Sequence, residues 1–260
     1  MQWRQPCDPS GVTFRDTTGR IEVSEALFRP APRVAVILAL GASNLANEGD
    51  PKGLCESTQG VFNFDFIAGK CYVAKDPLVG STADRGNVLT RLGERLVWSG
   101  RYDRVLLVPV AHGGTLISEW VPGGRMHPRL RRAIGTLSHN GIAVTHILWQ
   151  LGEGEISHPR NEGDVKAWIA SFARIVDVMR ASRIDAPIYV AQATICCSGP
   201  SEVMRNTQRA VVRLDLGVLP GPDLDVLGPD QRWDGCHFSV SGMDRAAELW
   251  CDVIASPKDL

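Results

Sequence analysis

The chain has 260 residues, 44% of them apolar and 22% charged, with a formal net charge of −1. That length suits one fairly large domain, whose core buries roughly three quarters of the unfolded surface without a staple or structural metal. The near-neutral charge argues against a nucleic-acid groove or an anionic membrane surface as partner. The first twenty residues contain no apolar run of the secretory type, and the most apolar stretch, VAVILALGA (34–42), is far too short to span a bilayer. Seven cysteines, scattered apart from the vicinal pair Cys196 and Cys197, form no zinc spacing and read as reduced thiols of a cytoplasmic protein.

In chain order, residues 1–32 are polar and aperiodic and read as a lead-in arm, and 33–260 as the domain proper. RVAVILALG (33–41) is a continuous apolar run ending in glycine, as expected of a strand buried on both faces. The next forty residues are rich in loop signals, with VFNFDF (61–66) and KCYVAKDP (70–77) as a candidate hairpin. So long a loop suggests a functional segment or a lid over residues 44–75.

From Asn87 onward the pattern alternates regularly. Helices are expected over 88–100, 127–141, 164–182, 201–214 and 240–256, and strands over 103–111, 144–152 and 186–194. This alternation implies an α/β fold: a central parallel sheet with helices on both faces, its ligands bound outside the carboxyl ends of the strands.

Four strand-end turns therefore carry the candidates for chemistry. In GASNLANEGD (41–50), Ser43 follows the first buried strand by two residues; it is either a nucleophile or a helix cap. The turn lacks the glycine spacing of a nucleophile elbow, a dinucleotide fingerprint or a phosphate loop. In RWDGCHFSVSG (232–242), Asp234 and His237 stand three apart on a turn, so the carboxylate can fix the imidazole tautomer and leave the other nitrogen to take a serine proton. In VPVAHGGTLISEW (108–120), Gly113 and Gly114 allow close backbone approach, and His112 is either a base or a hydrogen-bonded core histidine. LWQLGEGE (148–155) sets Glu153 and Glu155 just past a central strand, to orient His237, to bind a hydroxyl or to face solvent.

Taken in order, GASN, DPLVG (76–80), VPVAHGGTLISEW, LWQLGE and DGCHFS resemble the sialate O-acetylesterase and acetylxylan-esterase branch of the SGNH (GDSL) hydrolases, over most of 34–256. The resemblance implies a flavodoxin-like three-layer sandwich and a Ser/His/acid site that removes acetyl or similar small acyl groups from sugars. It implies Ser43 as nucleophile, His237 as base, Asp234 as the favoured acid with Glu153 as rival, and the amides of Ser43 and Gly80 as the oxyanion hole. Ala42 replaces the family's glutamine before the serine. Leu151 stands where the family has a glutamine expected to donate to the oxyanion, while Gln150 comes one residue early and, on a strand, faces the other way. Loss of such a donor costs about 2.7–4 kcal/mol of transition-state stabilisation. Asn44, Asn47 and His112 are the substitutes nearest to hand.

The expected function is thus hydrolysis of small acyl esters, O-acetyl esters of a carbohydrate or glycoside in the first place, with a small-molecule partner and no metal or organic cofactor. Two alternatives stand beside it. One is acyl transfer from the same serine, with the aromatic 61–72 segment shielding the site. The other is a carbohydrate- or metabolite-binding protein that has lost activity on the hydrolase scaffold.

Overall fold

A computed structural model describes residues 13–57, 59–155 and 161–255. The first twelve residues of the expected arm, Cys7 among them, lie outside this range. Eight strands form one sheet: β1 (Glu22–Val23), β2 (Val34–Gly41), β3 (Val61–Asp65), β4 (Lys70–Val73), β5 (Arg104–Pro109), β6 (His146–Gln150), β7 (Ile188–Gln192) and β8 (Val218–Asp223). Their spatial order is β1-β4-β3-β5-β2-β6-β7-β8. The run from β3 to β8 is parallel throughout, whereas β4 pairs antiparallel with β3 and with β1.

All eight residues of β2 are buried, because helices cover both faces. Ala35, Ile37 and Ala39 point to the layer formed by α1 (Val88–Trp98) and α5 (Val240–Ala255). Val34, Val36, Leu38 and Leu40 point to the opposite layer of α2 (His127–His139) and α3 (Glu162–Ala181), where Trp149 packs edge-on against Phe172. The remaining helix, α4 (Glu202–Ala210), contributes Met204 to this second layer. The three-layer α/β sandwich expected from the alternation is therefore the fold of the molecule.

Two strands escape the sequence pattern. β8 reads VLPGPD, and its Pro220 lacks an N–H; the strand is tolerated because it lies at the sheet edge, where one side needs no ladder bonds. β1 belongs to the expected arm. It adds the opposite edge strand, and the nearby Phe28 is buried against Phe62, so residues 13–32 are packed onto the domain. The 61–73 segment does form the expected hairpin, but Phe64 and Phe66 are core residues.

The order of connections positions the site. From β2 the chain runs through β3, β4 and β5 on one side of β2 and then crosses to β6 on the other, so the direction of winding reverses at the carboxyl end of β2. Loops leaving neighbouring strands diverge there and open a crevice, the usual ligand position in such sheets.

Candidate active site

Ser43 begins a short 3-10 turn, Ser43–Leu45, immediately beyond β2. The strand end is gripped by its neighbour: Ala42 N donates to Gln150 O at 2.9 Å. This closeness dictates Gly41, since a Cβ there would lie 1.9 Å from Gln150 O and its φ of 136° suits no other residue.

The histidine turn is built around Asp234. Its Oδ1 accepts from the backbone N–H groups of Cys236 (2.9 Å) and His237 (2.7 Å), while its Oδ2 lies 2.6 Å from His237 Nδ1. Burial acts to raise the Asp234 pKa, but the His237 hydrogen bond and charge, with the two backbone donors, outweigh it and hold the carboxyl at about 2. The imidazole is wholly buried and stacks on Trp233, with centroids 6.3 Å apart. Asp234 thus occupies Nδ1 and turns Nε2 toward the rest of the site.

Asn44 joins the two turns. Its Oδ1 accepts from Phe238 N at 3.1 Å, and its Nδ2 donates to Cys236 O at 3.3 Å and to Glu153 Oε1 at 3.2 Å. One amide next to Ser43 therefore holds the residues on both sides of His237. Both of its hydrogens are engaged, so Asn44 is not a spare oxyanion donor. Asn47 is likewise consumed: it donates to Leu78 O and Ala83 O and accepts from Leu78 N and Asn87 Nδ2. With Gly49 N bonded to Gly86 O and Asp50 N to Phe238 O, the 44–53 segment is stitched down rather than built as a lid.

Glu153 does not touch His237 in this arrangement. Its Oε1 accepts from Gln150 Nε2 (2.8 Å) and Asn44, and burial raises its pKa against those hydrogen bonds and the charge of Arg232. Glu155 lies apart from this network. It accepts from Ile117 N at 2.5 Å, and burial pushes its carboxyl up to about 7. Leu151 is buried in the core beside Trp149, and the β2–β6 register runs to Gly41↔Gln150. One Gln150 Nε2 hydrogen is engaged by Glu153, and Leu151 has no donor to offer.

The assignment of Gly80 to the oxyanion hole is corrected by the structure. Its N–H donates to Phe14 O at 2.9 Å, and its carbonyl accepts from Arg129 Nη2. Arg129 lies half-buried over Phe66 and also donates to Val110 O and to Thr13 Oγ1, which ties the arm to this corner. The left-handed φ of 98° at Gly80 thus serves a structural junction.

The glycine pair also has a different reason. Gly113 N donates to Thr82 Oγ1, and a Cβ on Gly113 would fall 1.7 Å from Glu48 Oε1. Gly114 sits at φ 66° in the turn. His112 lies at the same strand end, with its N–H on Gly41 O and its Nδ1 2.9 Å from Gly113 O, so its ring is held by its own loop.

Glu48 is the residue that sequence reasoning passed over. It is buried at the site, with Oε2 3.4 Å from His237 Nε2, and Trp233 Nε1 donates to its backbone carbonyl at 3.5 Å. The only available signal was an acidic residue within the turn that carries Ser43.

The reading of the cysteines is also corrected. Cys196, after β7, and Cys236, next to His237, form a disulfide across 40 residues of sequence. The fold brings two strand-end loops together, a proximity that spacing cannot reveal. The vicinal Cys197 is exposed, and its N–H donates to Gly235 O at 2.8 Å.

Among the described residues no group of three or more His, Cys, Asp or Glu could hold a metal, and no helix is long and apolar enough to cross a membrane. The model of one family, the carbohydrate esterases described as sialic acid-specific acetylesterases, matches residues 33–247. The chain belongs to that family. This esterase also shares its fold with solved structures of low sequence identity. A protein of Arabidopsis thaliana superimposes with a TM-score of 0.63 at 18% identity, covering 87% of this chain and 99% of that one. A carbohydrate acetylesterase from Xanthomonas citri gives 0.59 at 15% identity, over 84% of this chain and 55% of that one. The esterase EstA of a Pseudoalteromonas species gives 0.50 at 15% identity, over 85% and 96%. No curated protein sequence matches the chain. The family makes the chain a carboxylic ester hydrolase with the SGNH type of fold.

Proposed function

We propose that this esterase hydrolyses O-acetyl or similarly small acyl esters of carbohydrates through an acyl-Ser43 intermediate. The observation that carries the reading is the Asn44 clasp: it ties the serine turn to the backbone on either side of His237, whose Nδ1 is already occupied by Asp234. Such a pair supplies what a serine hydroxyl lacks, a positioned base of fixed tautomer.

In the proposed reaction Nε2 of His237 takes the Ser43 hydroxyl proton as Oγ attacks the ester carbonyl. Asp234 stabilises the imidazolium that forms. The imidazolium then gives its proton to the leaving alcohol oxygen, and the acyl group stays on Oγ. Water, deprotonated by the same Nε2, attacks the acyl-enzyme; the acyl–Oγ bond breaks, the imidazolium returns its proton to Ser43 Oγ, and the acid is released. The Ser43 N–H, first in its turn and so without an intrahelical acceptor, is the proposed oxyanion donor.

The test is p-nitrophenyl acetate hydrolysis by the wild type and by Ser43→Ala purified in parallel. A loss on the order of a thousandfold or more is expected for removal of a triad nucleophile. Equal rates would remove Ser43 from the mechanism.

A further inference from the structure

Arg85 belongs to the loop that backs the serine segment: its N–H donates to Asn47 O, and the carbonyl of the next residue accepts from Gly49 N. Its half-buried guanidinium lies over the Trp233 ring at 5.1 Å, and that ring, 37% exposed, stacks in turn on His237. Among the described residues this guanidinium forms no ion pair and donates no hydrogen bond. The arginines of the adjoining elements are engaged. Arg91 reaches Asp76, Asp244 and Gly53 O, and Arg232 donates to the carbonyls of Leu227 and Cys236. The carboxylates at the imidazole, Asp234 and Glu48, stand against its two nitrogens rather than against Arg85.

A cation held in this way is ready for an anion that arrives with the substrate. Stacking on the indole fixes the plane of the guanidinium and leaves its N–H edge uncommitted, the fork that pairs with both oxygens of a carboxylate. Half-burial weakens solvent screening of such a pair. Arg85 touches the indole and not the reacting serine, so the carboxylate it takes belongs some bonds away from the acylated oxygen. We propose that Arg85 is a specificity-determining residue whose guanidinium binds a carboxylate on the alcohol part of the ester, remote from the acylated oxygen. The inference rests on the Ser43–His237 reading above and adds which residue reads the charge of the leaving group.

The experiment compares kcat/KM for 9-O-acetyl-N-acetylneuraminic acid and its carboxamide, an acidic sugar acetate and its uncharged isostere, which share the ester and the leaving oxygen. Effects transmitted through Trp233 and His237 cancel in the ratio. The wild type is expected to favour the acid by roughly tenfold or more, the worth of one hydrogen bond between charged groups. Arg85→Gln should remove most of that preference, and Arg85→Lys, which keeps the charge without the fork, should fall between the two. A further measurement needs no variant: raising the salt from about 0.05 to 0.5 M should lower the wild-type ratio at least about twofold, by screening the pair. A wild type without preference, a folded Arg85→Gln that keeps most of it, or a ratio insensitive to salt overturns the proposal. Failure of the parent reading looks different: Ser43→Ala would then retain the wild-type rate on p-nitrophenyl acetate.

Discussion

The serine turn and the histidine loop meet at one site but are held there by different means. The histidine loop carries much of its own support. Asp234 caps the turn beneath it, the Cys196–Cys236 disulfide anchors it covalently, and the buried Arg232 donates to the carbonyls of Leu227 and Cys236 while lying over Phe238. The serine turn has two backbone bonds of its own, from Leu45 N to Ala42 O and from Ala46 N to Ser43 O, but no side-chain cap. It takes its shape from the neighbouring strand through Ala42 and Gln150, and from the amides of Asn44 and Asn47 reaching into other loops. A loop with its own frame can be damaged locally, whereas a borrowed turn fails through its neighbours.

The largest expected effect separates chemistry from scaffold within the histidine loop. Asp234→Asn should lower kcat on p-nitrophenyl acetate by on the order of ten-thousandfold, because the amide permits the wrong imidazole tautomer. A loss below about a hundredfold would mean that Asp234 serves the turn rather than the imidazole.

On the serine side, Asn44→Ala orphans Phe238 N in a buried setting and takes one of two donors each from Cys236 O and Glu153 Oε1. The expected cost is about 2–4 kcal/mol in a urea titration, with activity falling alongside stability. Full activity in a destabilised variant would break the link between the two turns.

Removing the disulfide with Cys236→Ser should cost roughly 2–4 kcal/mol, seen as a lower Tm. The comparison predicts that the loss appears mainly as heat inactivation, since Asn44 and Arg232 still hold the loop when cold.

The smallest effects are the pH responses, and they have opposite signs. Asp234 is held at about 2 against an ordinary 3.8, so it adds stability above pH 3.8 that is lost as pH falls through 2. Wild type should lose about 1–2 kcal/mol more than Asp234→Asn between pH 4 and pH 2, a figure reduced for partial solvent screening. Glu153 is raised above 4.5, so its contribution is complete below that pH and is lost as pH rises. Glu153→Gln should flatten that decline, measured by thermal unfolding between pH 4.5 and 8.

What the sequence revealed follows the range of the forces involved. The helices and buried strands from β2 to β7 were readable because their apolar period is local. Ser43, Asp234 and His237 were readable because a strand end and a three-residue spacing are local too. β8 was hidden by Pro220 and Gly221, which only its edge position excuses. The Gly80 junction with Phe14, the Cys196–Cys236 bond and the contact of Glu48 with His237 each join residues far apart in the chain. Such pairs exist only once the sheet has been wound, and no period or spacing encodes them.

The central claim, that Ser43 is a nucleophile activated by the Asp234–His237 pair, is tested most directly by mapping a fluorophosphonate adduct on the intact protein by mass spectrometry. One adduct on Ser43, absent from Ser43→Ala and strongly slowed in Asp234→Asn, is the predicted result. No adduct, or one on another residue, would contradict the account.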